Sequence, residues 1–479
     1  MRNSIQSILI KALEKSMEYY ENKGISEIYV MTKELKTIGD EMMREILSVF
    51  IENADRALCE EAKVQRKADG FTIHERAIPR APYTFLGELA YERTYFKKEG
   101  GGYVHILDHI LGVGAYERVD AGVSADMVNF SSAHSFGIST GIATSGKISR
   151  QTAWKKMQEV GEVAYAPRRS EHTPEALHIF ADEDHVNLQD GKNTNVPLIT
   201  YCGGKKTVSK GRNELIAPVH IQGYGLSPKT HWEYVYGLVS EQYDLRQVKK
   251  LFIYGDGATW IKAGLDVFPD AIFAFDEYHL EKRIRSLLSG EECKGYATWI
   301  REAINSGDRV LFQKIFYKMQ DAVMAAVKAG KCRQSRLKSV RDDGAFLLAH
   351  WQEILNSRDP FSIGSCTEAL VSHVLSKRLS RDPMGWSKHG LSKLTMVRVF
   401  CLNGGKVSPI DIGGGKADER IVIDSLKKYE EIVMGQHDEV FKGWRDWRWF
   451  DKSDDNLISR KTTGTKVAID ALRKMRDIL

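Results

Sequence analysis

No apolar run in this 479-residue chain reaches the ~18 residues that a membrane-spanning helix needs, so no membrane partner is expected. A secretory leader is not expected either. Met1–Tyr20 sets Lys11, Glu14 and Lys15 among its apolar positions, which is the pattern of an amphipathic helix. Cysteine is sparse, six in all, and no two form a C-x-x-C pair. That excludes a zinc ribbon or thioredoxin-like site and points to free thiols in a reducing cytoplasm. Gly413-Gly414-Gly415-Lys416 is followed by Ala417, where a phosphate-binding loop requires Ser or Thr. Excess charge is small: the net charge of +5 permits a nucleic-acid partner without demanding one.

The length suits about three domains at ~150 residues each, and the pattern along the chain is multidomain α+β. Residues 1–68 read as helices, with Ile5, Ile8, Leu9, Leu13 and Met17 at helical spacing and a second helix over residues 41–67. Residues 69–121 form a small β-containing region. Two strands are predicted there, over 84–91 and 103–107, with Gly100-Gly101-Gly102 as the turn between them. Residues 122–165 are helical again, with a break at Ser145-Gly146. Ser149 then caps a helix carrying Arg150, Gln151, Lys155 and Lys156. This matches the second helix of a helix-turn-helix, whose Arg and Gln side chains can read guanine and adenine in the major groove. A basic surface helix after a turn is the competing reading.

Residues 171–289 change character. Strands are predicted at 177–188, 196–201 and 215–222, then a helix at 232–243. A fully apolar strand follows, Leu251-Phe252-Ile253-Tyr254, then a helix bearing Ile261, Leu265 and Phe268, a strand at 271–275, and a basic helix at 277–288. The first three strands suit an antiparallel meander and the later ones parallel crossovers. That is the order of the ribonuclease H-like fold. Residues 290–360 show only helical periodicity and read as an all-helical insertion. Residues 361–400 resume the core: Gly364-Ser365-Cys366-Thr367-Glu368 opens a helix with Leu370, Val371, Val374, Leu375 and Leu379 on its apolar face. Residues 401–479 read as a helical tail, in which Trp444, Trp447 and Trp449 sit among Arg445 and Arg448, a cluster that reads as a small satellite core, with stacking on DNA as the competing reading.

Three carboxylates stand out in this frame. Asp182 lies in the first strand. Asp184 shares its face by the two-residue period and is the rival for the same role. Asp256 ends the apolar strand, and Glu368 opens the late helix. Each has a plain structural explanation: a solvated acidic strand end, a helix N-cap, and the Ser365-x-x-Glu368 capping box respectively. Their order is what counts, a strand Asp, a strand-end Asp 74 residues on and a helix Glu 112 residues further, with the helical insertion inside the second gap. Phosphodiester cleavage by two Mg²⁺ ions needs such a set of oxygen ligands. His279, Lys282, Arg283 and Arg285 on the basic helix are candidate phosphate contacts.

The chain resembles the ISLre-type insertion-sequence transposases, a bacterial group related to the Mutator-like transposases. The matching stretches are Thr84–Arg93 with Leu107-Asp108, Ile148–Thr152, Ala181–Gln189, Tyr254–Gly257, Asp276–His279, and Gly364–Glu368 with Arg378 and Trp386-Ser387. Asp276 departs from the Mutator-like pattern, which commonly places Cys three residues before the His. The resemblance implies a ribonuclease H-like domain with an Asp182-Asp256-Glu368 triad. It also implies Mg²⁺-dependent cutting and joining (Mn²⁺ substituting), double-stranded DNA partners in the form of terminal inverted repeats and target, a homo-oligomer on DNA, and a cytoplasmic, nucleoid-associated location. A nuclease or junction resolvase without strand transfer, and a DNA-binding regulator that has lost catalysis, are the alternative expectations.

Overall fold

In the computed structural model the protein is mixed α+β, and residues 2–382, 384–413 and 425–445 are described. The chain divides into two compact units, residues 1–128, 136–161 and 408–479 in one, and residues 129–135 and 162–407 in the other. No described helix is long and apolar enough to cross a membrane. All six cysteines are free thiols.

The first unit opens with a helical hairpin, Arg2–Lys23 and Ile28–Glu60, closed by Lys15–Glu41 at 2.6 Å. Its small sheet corrects the sequence reading. The principal strands are Phe71–Arg80 and Tyr91–Lys98, paired antiparallel, while residues 84–91 hold only the two-residue pairing of Tyr83–Thr84 with Gly87–Glu88. Phe71–Arg80 buries Phe71 and leaves Thr72, His74 and Glu75 exposed, while Tyr91–Lys98 buries Tyr91, Arg93, Thr94 and Phe96 and exposes Glu92 and Lys97. The polar residues hid the strand pattern. The glycine turn is found where expected, between Lys98 and Tyr103, with Gly100, Gly101 and Gly102 all at positive φ. The second predicted strand stops at Val104 and becomes the helix Ile106–Leu111. The helices Phe136–Thr144 and Arg150–Glu159 are joined by a tight turn through Ser145 and Gly146, both at positive φ. Val123, Met127 and Ala153 form their core with Phe136 and Ile148 alongside.

In the second unit five strands form one sheet: β1 Ala176–Asn187, β2 Asn193–Cys202, β3 Val219–Gln222, β4 Lys250–Gly255 and β5 Ile272–Phe275. The spatial order is β3-β2-β1-β4-β5. β1, β2 and β3 run antiparallel, and β4 is parallel to both β1 and β5, as the sequence pattern anticipates. The third strand is shorter than predicted. Ala217 at φ 47° and Pro218 interrupt the run, and only its first residue, Leu215, pairs elsewhere, closing the hairpin Lys205–Ser209 with Arg212–Leu215.

Parallel strands are buried on both faces. One face sets Leu177, Ile179, Ala181, Ile253 and Phe273 against the helix Pro228–Gln242, through Trp232, Val235 and Val239, and against helices from 291–356. The other sets Phe180, Phe252, Tyr254 and Ala274 against Ile363, Cys366 and Leu370. Residues 291–356 are helical throughout, as anticipated, in Ala297–Ser306, Arg309–Lys328, Gln334–Ala349 and shorter turns. Gly344 makes their close approach possible: a Cβ there would lie 2.0 Å from the Phe316 ring. Gly344→Ala is therefore expected to cost about 1–3 kcal/mol through overpacking, read as a lowered urea midpoint with an unchanged slope. Lys416, Trp447, Arg448 and Trp449 lie outside the described residues.

Candidate active site

The register of the parallel strands builds the site. Phe180 pairs with Tyr254, and Gly255 pairs with Phe275. Continued by two residues and by one, these offsets set Asp182 opposite Asp256 and Asp256 opposite Asp276. Neighbouring strands lie ~4.8 Å apart, and residues two apart share a face. The three aspartates thus form a row across β1, β4 and β5, on the face that carries Phe180 and Tyr254. The 74-residue interval noted in the sequence is the pairing offset of β1 and β4. Asp256 does not cap a helix. Its Oδ1 accepts from the Ala258 amide at 2.8 Å in a tight turn, and Gly257 at φ 88° swings the chain away from the strand end.

The electrostatics of the row differ from place to place. Burial pushes the Asp182 carboxyl up to about 6, and the charges of Asp256 and Asp276 push the same way. The Glu183 amide, 2.8 Å from Oδ1, and His279 oppose that rise. Asp276 is fully buried, and burial works against its charge, yet it is held down to about 2. His279, Ser365 and Thr367 donate to it and outweigh the burial. The His279 imidazole is raised in turn by its bond to Asp276, with Asp182 and Asp256 adding to that rise.

Glu368 sits in the first turn of the helix Thr367–Val371 and is exposed. The capping box expected there does not form, because the Ser365 hydroxyl donates to Asp276 instead. Cys366 and Leu370 on either side pack on the Phe180–Tyr254 face, so the helix that carries Glu368 lies on the same side of the sheet as the aspartate row, with Glu368 itself on the exposed face of that helix. Asp184 is buried and accepts hydrogen bonds from Ser376 and Ser380 at 3.0 Å. Both of its oxygens accept from hydroxyls that reach over from the late helix, whereas Asp182 Oδ1 accepts from the neighbouring Glu183 amide. Among the described residues no three His, Cys, Asp or Glu side chains already converge at ion-binding spacing. The donors at the row are all hard oxygens, and Asp182 and Asp256 oppose one another's charge, a repulsion that a divalent cation relieves.

The candidate DNA contacts are divided by the structure. Arg150, Gln151 and Lys155 are exposed on the helix capped by Ser149. Lys156 is a correction: it is buried, with its ammonium 2.7 Å from Glu117 and 2.8 Å from Glu159, so its charge is spent inside the fold. On the helix Glu277–Leu287, Lys282 is exposed, Arg283 pairs with Asp343 at 3.1 Å and Arg285 pairs with Glu281 at 3.1 Å. Sequence reasoning left the role of Asp276 open. The available signal was its spacing of 20 residues from Asp256 at the end of a second apolar strand.

Residues 23–414 match the family described as Uncharacterised protein family (UPF0236). A UPF0236 protein of Caldanaerobacter subterraneus subsp. tengcongensis is 33% identical over 399 residues, covering 82% of this chain and 83% of the relative. A second from the same organism is 34% identical over 397 residues, covering 82% and 81%, and its name joins eleven gene designations of one strain. A third is 33% identical over 399 residues, covering 82% of each chain, and its name joins four.

Proposed function

We propose that this chain, which belongs to the UPF0236 family, is a DNA transposase with a ribonuclease H-like catalytic core. The observation that carries the reading is the row of Asp182, in the middle of β1, and Asp256, just past the end of the adjacent parallel β4, with the Glu368 helix docked on the same face. The β3-β2-β1-β4-β5 order, with its first three strands antiparallel, supports it. So do the eleven designations joined in one relative's name, since an element that copies or moves itself leaves many copies of one protein in a genome.

Asp182 and Asp256 would hold Mg²⁺, or Mn²⁺ in its place, with Glu368 completing the set. Bound there, the metal would activate the attacking water or 3′-hydroxyl and neutralise the leaving oxygen. Asp182, half in its neutral form near pH 6, must give up its proton to serve as a ligand. His279 stands within electrostatic reach of both aspartates and can meet a scissile phosphate. Lys282 offers a further charge to the DNA backbone. Arg150, Gln151 and Lys155 would meet the element's terminal repeats, and joining two ends calls for at least two copies of the chain.

Lys155→Ala should weaken DNA binding and reduce the salt slope of log K by about 1. Lys156→Ala should leave DNA affinity in place and lower stability by about 1.5–3 kcal/mol, because Glu117 loses its partner. Filter binding across a salt series and a denaturant titration separate the two. Strand transfer is decided by incubating the protein, DNA carrying its element ends, Mn²⁺ and a target plasmid. A joined product is expected. Cleaved ends that never join would make the enzyme a nuclease instead.

A further inference from the structure

We propose that Asp276 and Asp184 are positioning residues, two carboxylates that clamp both ends of the Glu368-bearing helix to the sheet through four side-chain hydroxyls. The clamp would set where Glu368 stands relative to Asp182 and Asp256. This rests on the catalytic reading above. Asp276 shares the row with the two metal candidates, but its lone pairs are committed. Oδ1 accepts from the His279 amide and ring Nδ1, both at 2.9 Å. Oδ2 accepts from the Ser365 hydroxyl and from Thr367 Oγ1, the latter at 2.5 Å. A carboxylate offers about four acceptor sites, so none remains for an ion. Its two hydroxyl donors stand three residues and one residue before Glu368.

The far end mirrors this. Asp184, two residues along β1 from Asp182, takes Ser376 on one oxygen and Ser380 on both. Between the two clamps the helix carries a π turn, Ser372–Ser376. Such turns insert a residue into the helical register and recur at functional sites. Here the turn leads into Ser376 and Ser380, four residues apart on one helical face and both directed at Asp184. The loop ahead of Glu368 is held as well, with Tyr254 Oη 3.0 Å from Ser362 Oγ and Lys205 Nζ donating to the Ile363 carbonyl at 2.5 Å. A carboxylate on an exposed first turn would otherwise sample several positions, and a ligand set must be held to within ~0.5 Å.

Cys366 supplies a native reporter, because it lies between Ser365 and Thr367 and packs against the sheet. That packing covers its thiol, so alkylation is slow while the helix start is docked. The test compares wild type, Ser365→Ala/Thr367→Val, Thr367→Val alone and Thr367→Ser. Iodoacetamide labelling is read site by site by mass spectrometry, and Mn²⁺-dependent cleavage of element-end DNA is resolved into kcat and KM. In the double variant, or in Thr367→Val should the double fail to fold, Cys366 labelling should rise by about tenfold or more, the scale of a lost charge-assisted hydrogen bond. Buried Cys293 should stay as slow as in wild type. kcat should fall by about 100-fold, the effect of a ~1 Å misplacement, with KM for DNA nearly unchanged. Thr367→Ser keeps the hydroxyl and should behave as wild type.

Unchanged Cys366 labelling in a folded variant overturns the clamp. Raised labelling with unchanged kcat overturns its positioning role. A wild-type protein that never cleaves DNA sinks the transposase reading, and the labelling still decides whether the clamp exists.

Discussion

Asp256→Asn is expected to lower metal-dependent DNA cleavage by at least about 10³-fold while leaving the metal-free fold as stable as before or more so. The first half follows from the ligand role. Losing one carboxylate removes several kcal/mol of charge stabilisation at the reacting phosphate, and ~1.4 kcal/mol is a factor of ten. The second half follows from the strand register. Asp256 stands opposite Asp182, whose ionisation it opposes, so the neutral amide relieves a repulsion that the empty fold must carry. Activity falling as stability holds or rises is the mark of a site built against its own electrostatics. A loss of both together would instead identify Asp256 as a structural residue. Cleavage rates and urea midpoints on the same preparation distinguish the two.

The second large effect concerns acid. Three histidines in the sheet-bearing unit, His178, His220 and His231, are each lowered to about 4, mainly by burial. Lys205 adds to the lowering at His178 and Arg398 at His220, while a bond to the Ile221 carbonyl resists it at His231. His178 is hydrogen-bonded to Tyr254 Oη at 3.1 Å and His220 to Thr200 Oγ1 at 2.9 Å. The unfolded chain protonates them near their ordinary pKa of about 6.5, the folded chain only near 4. Their contribution is therefore complete above about 6.5 and is lost as the pH falls toward 4.

Each contributes a slope of about 1.4 kcal/mol per pH unit within that window. Asp182 runs the other way: raised to about 6, it favours the folded state below that pH and offsets roughly one histidine. Glu183 and Asp184, also raised by burial, offset more of it, so the histidines' combined slope of about 4 kcal/mol per pH unit is the upper bound on the loss between roughly pH 6 and 4.5. Amide exchange of the β1–β4 core across that range should show it. His220→Gln should reduce the slope by about 1.4 kcal/mol per unit, and a flat profile would contradict the burial of neutral imidazoles.

The five-stranded half of the fold was legible because parallel strands buried on both faces must be apolar runs, and Leu251–Tyr254 and Ala271–Phe275 are such runs. The small sheet near the N-terminus was not, since Phe71–Arg80 and Tyr91–Lys98 mix charged residues into both strands and the buried set of the second includes Arg93 and Thr94. Leu215–Gln222 looked like one strand because composition does not record the backbone reversal at Ala217.

At the site, period two left Asp182 and Asp184 equivalent. What separates them is the pair of serines that reaches Asp184 from almost 200 residues later in the chain. Lys156 was grouped with Lys155 by adjacency, yet a helix turns 100° per residue, which sends one outward and the other to Glu117. The Ser365-x-x-Glu368 pattern reads locally as a cap. Only the arrival of Asp276 explains why Ser365 turns away from it.

Manganese binding followed by electron paramagnetic resonance, with wild type beside Asp182→Asn, Asp256→Asn and Asp184→Asn, tests the carboxylate assignment most directly. Wild type should take up Mn²⁺. Asp182→Asn and Asp256→Asn should each lose more than the about 10–100-fold in affinity typical of a residue behind the ligands, and Asp184→Asn, which stands behind them, should lose no more than that. Affinity lost in Asp184→Asn but kept in Asp182→Asn, or no Mn²⁺ binding by the wild-type protein, would contradict it.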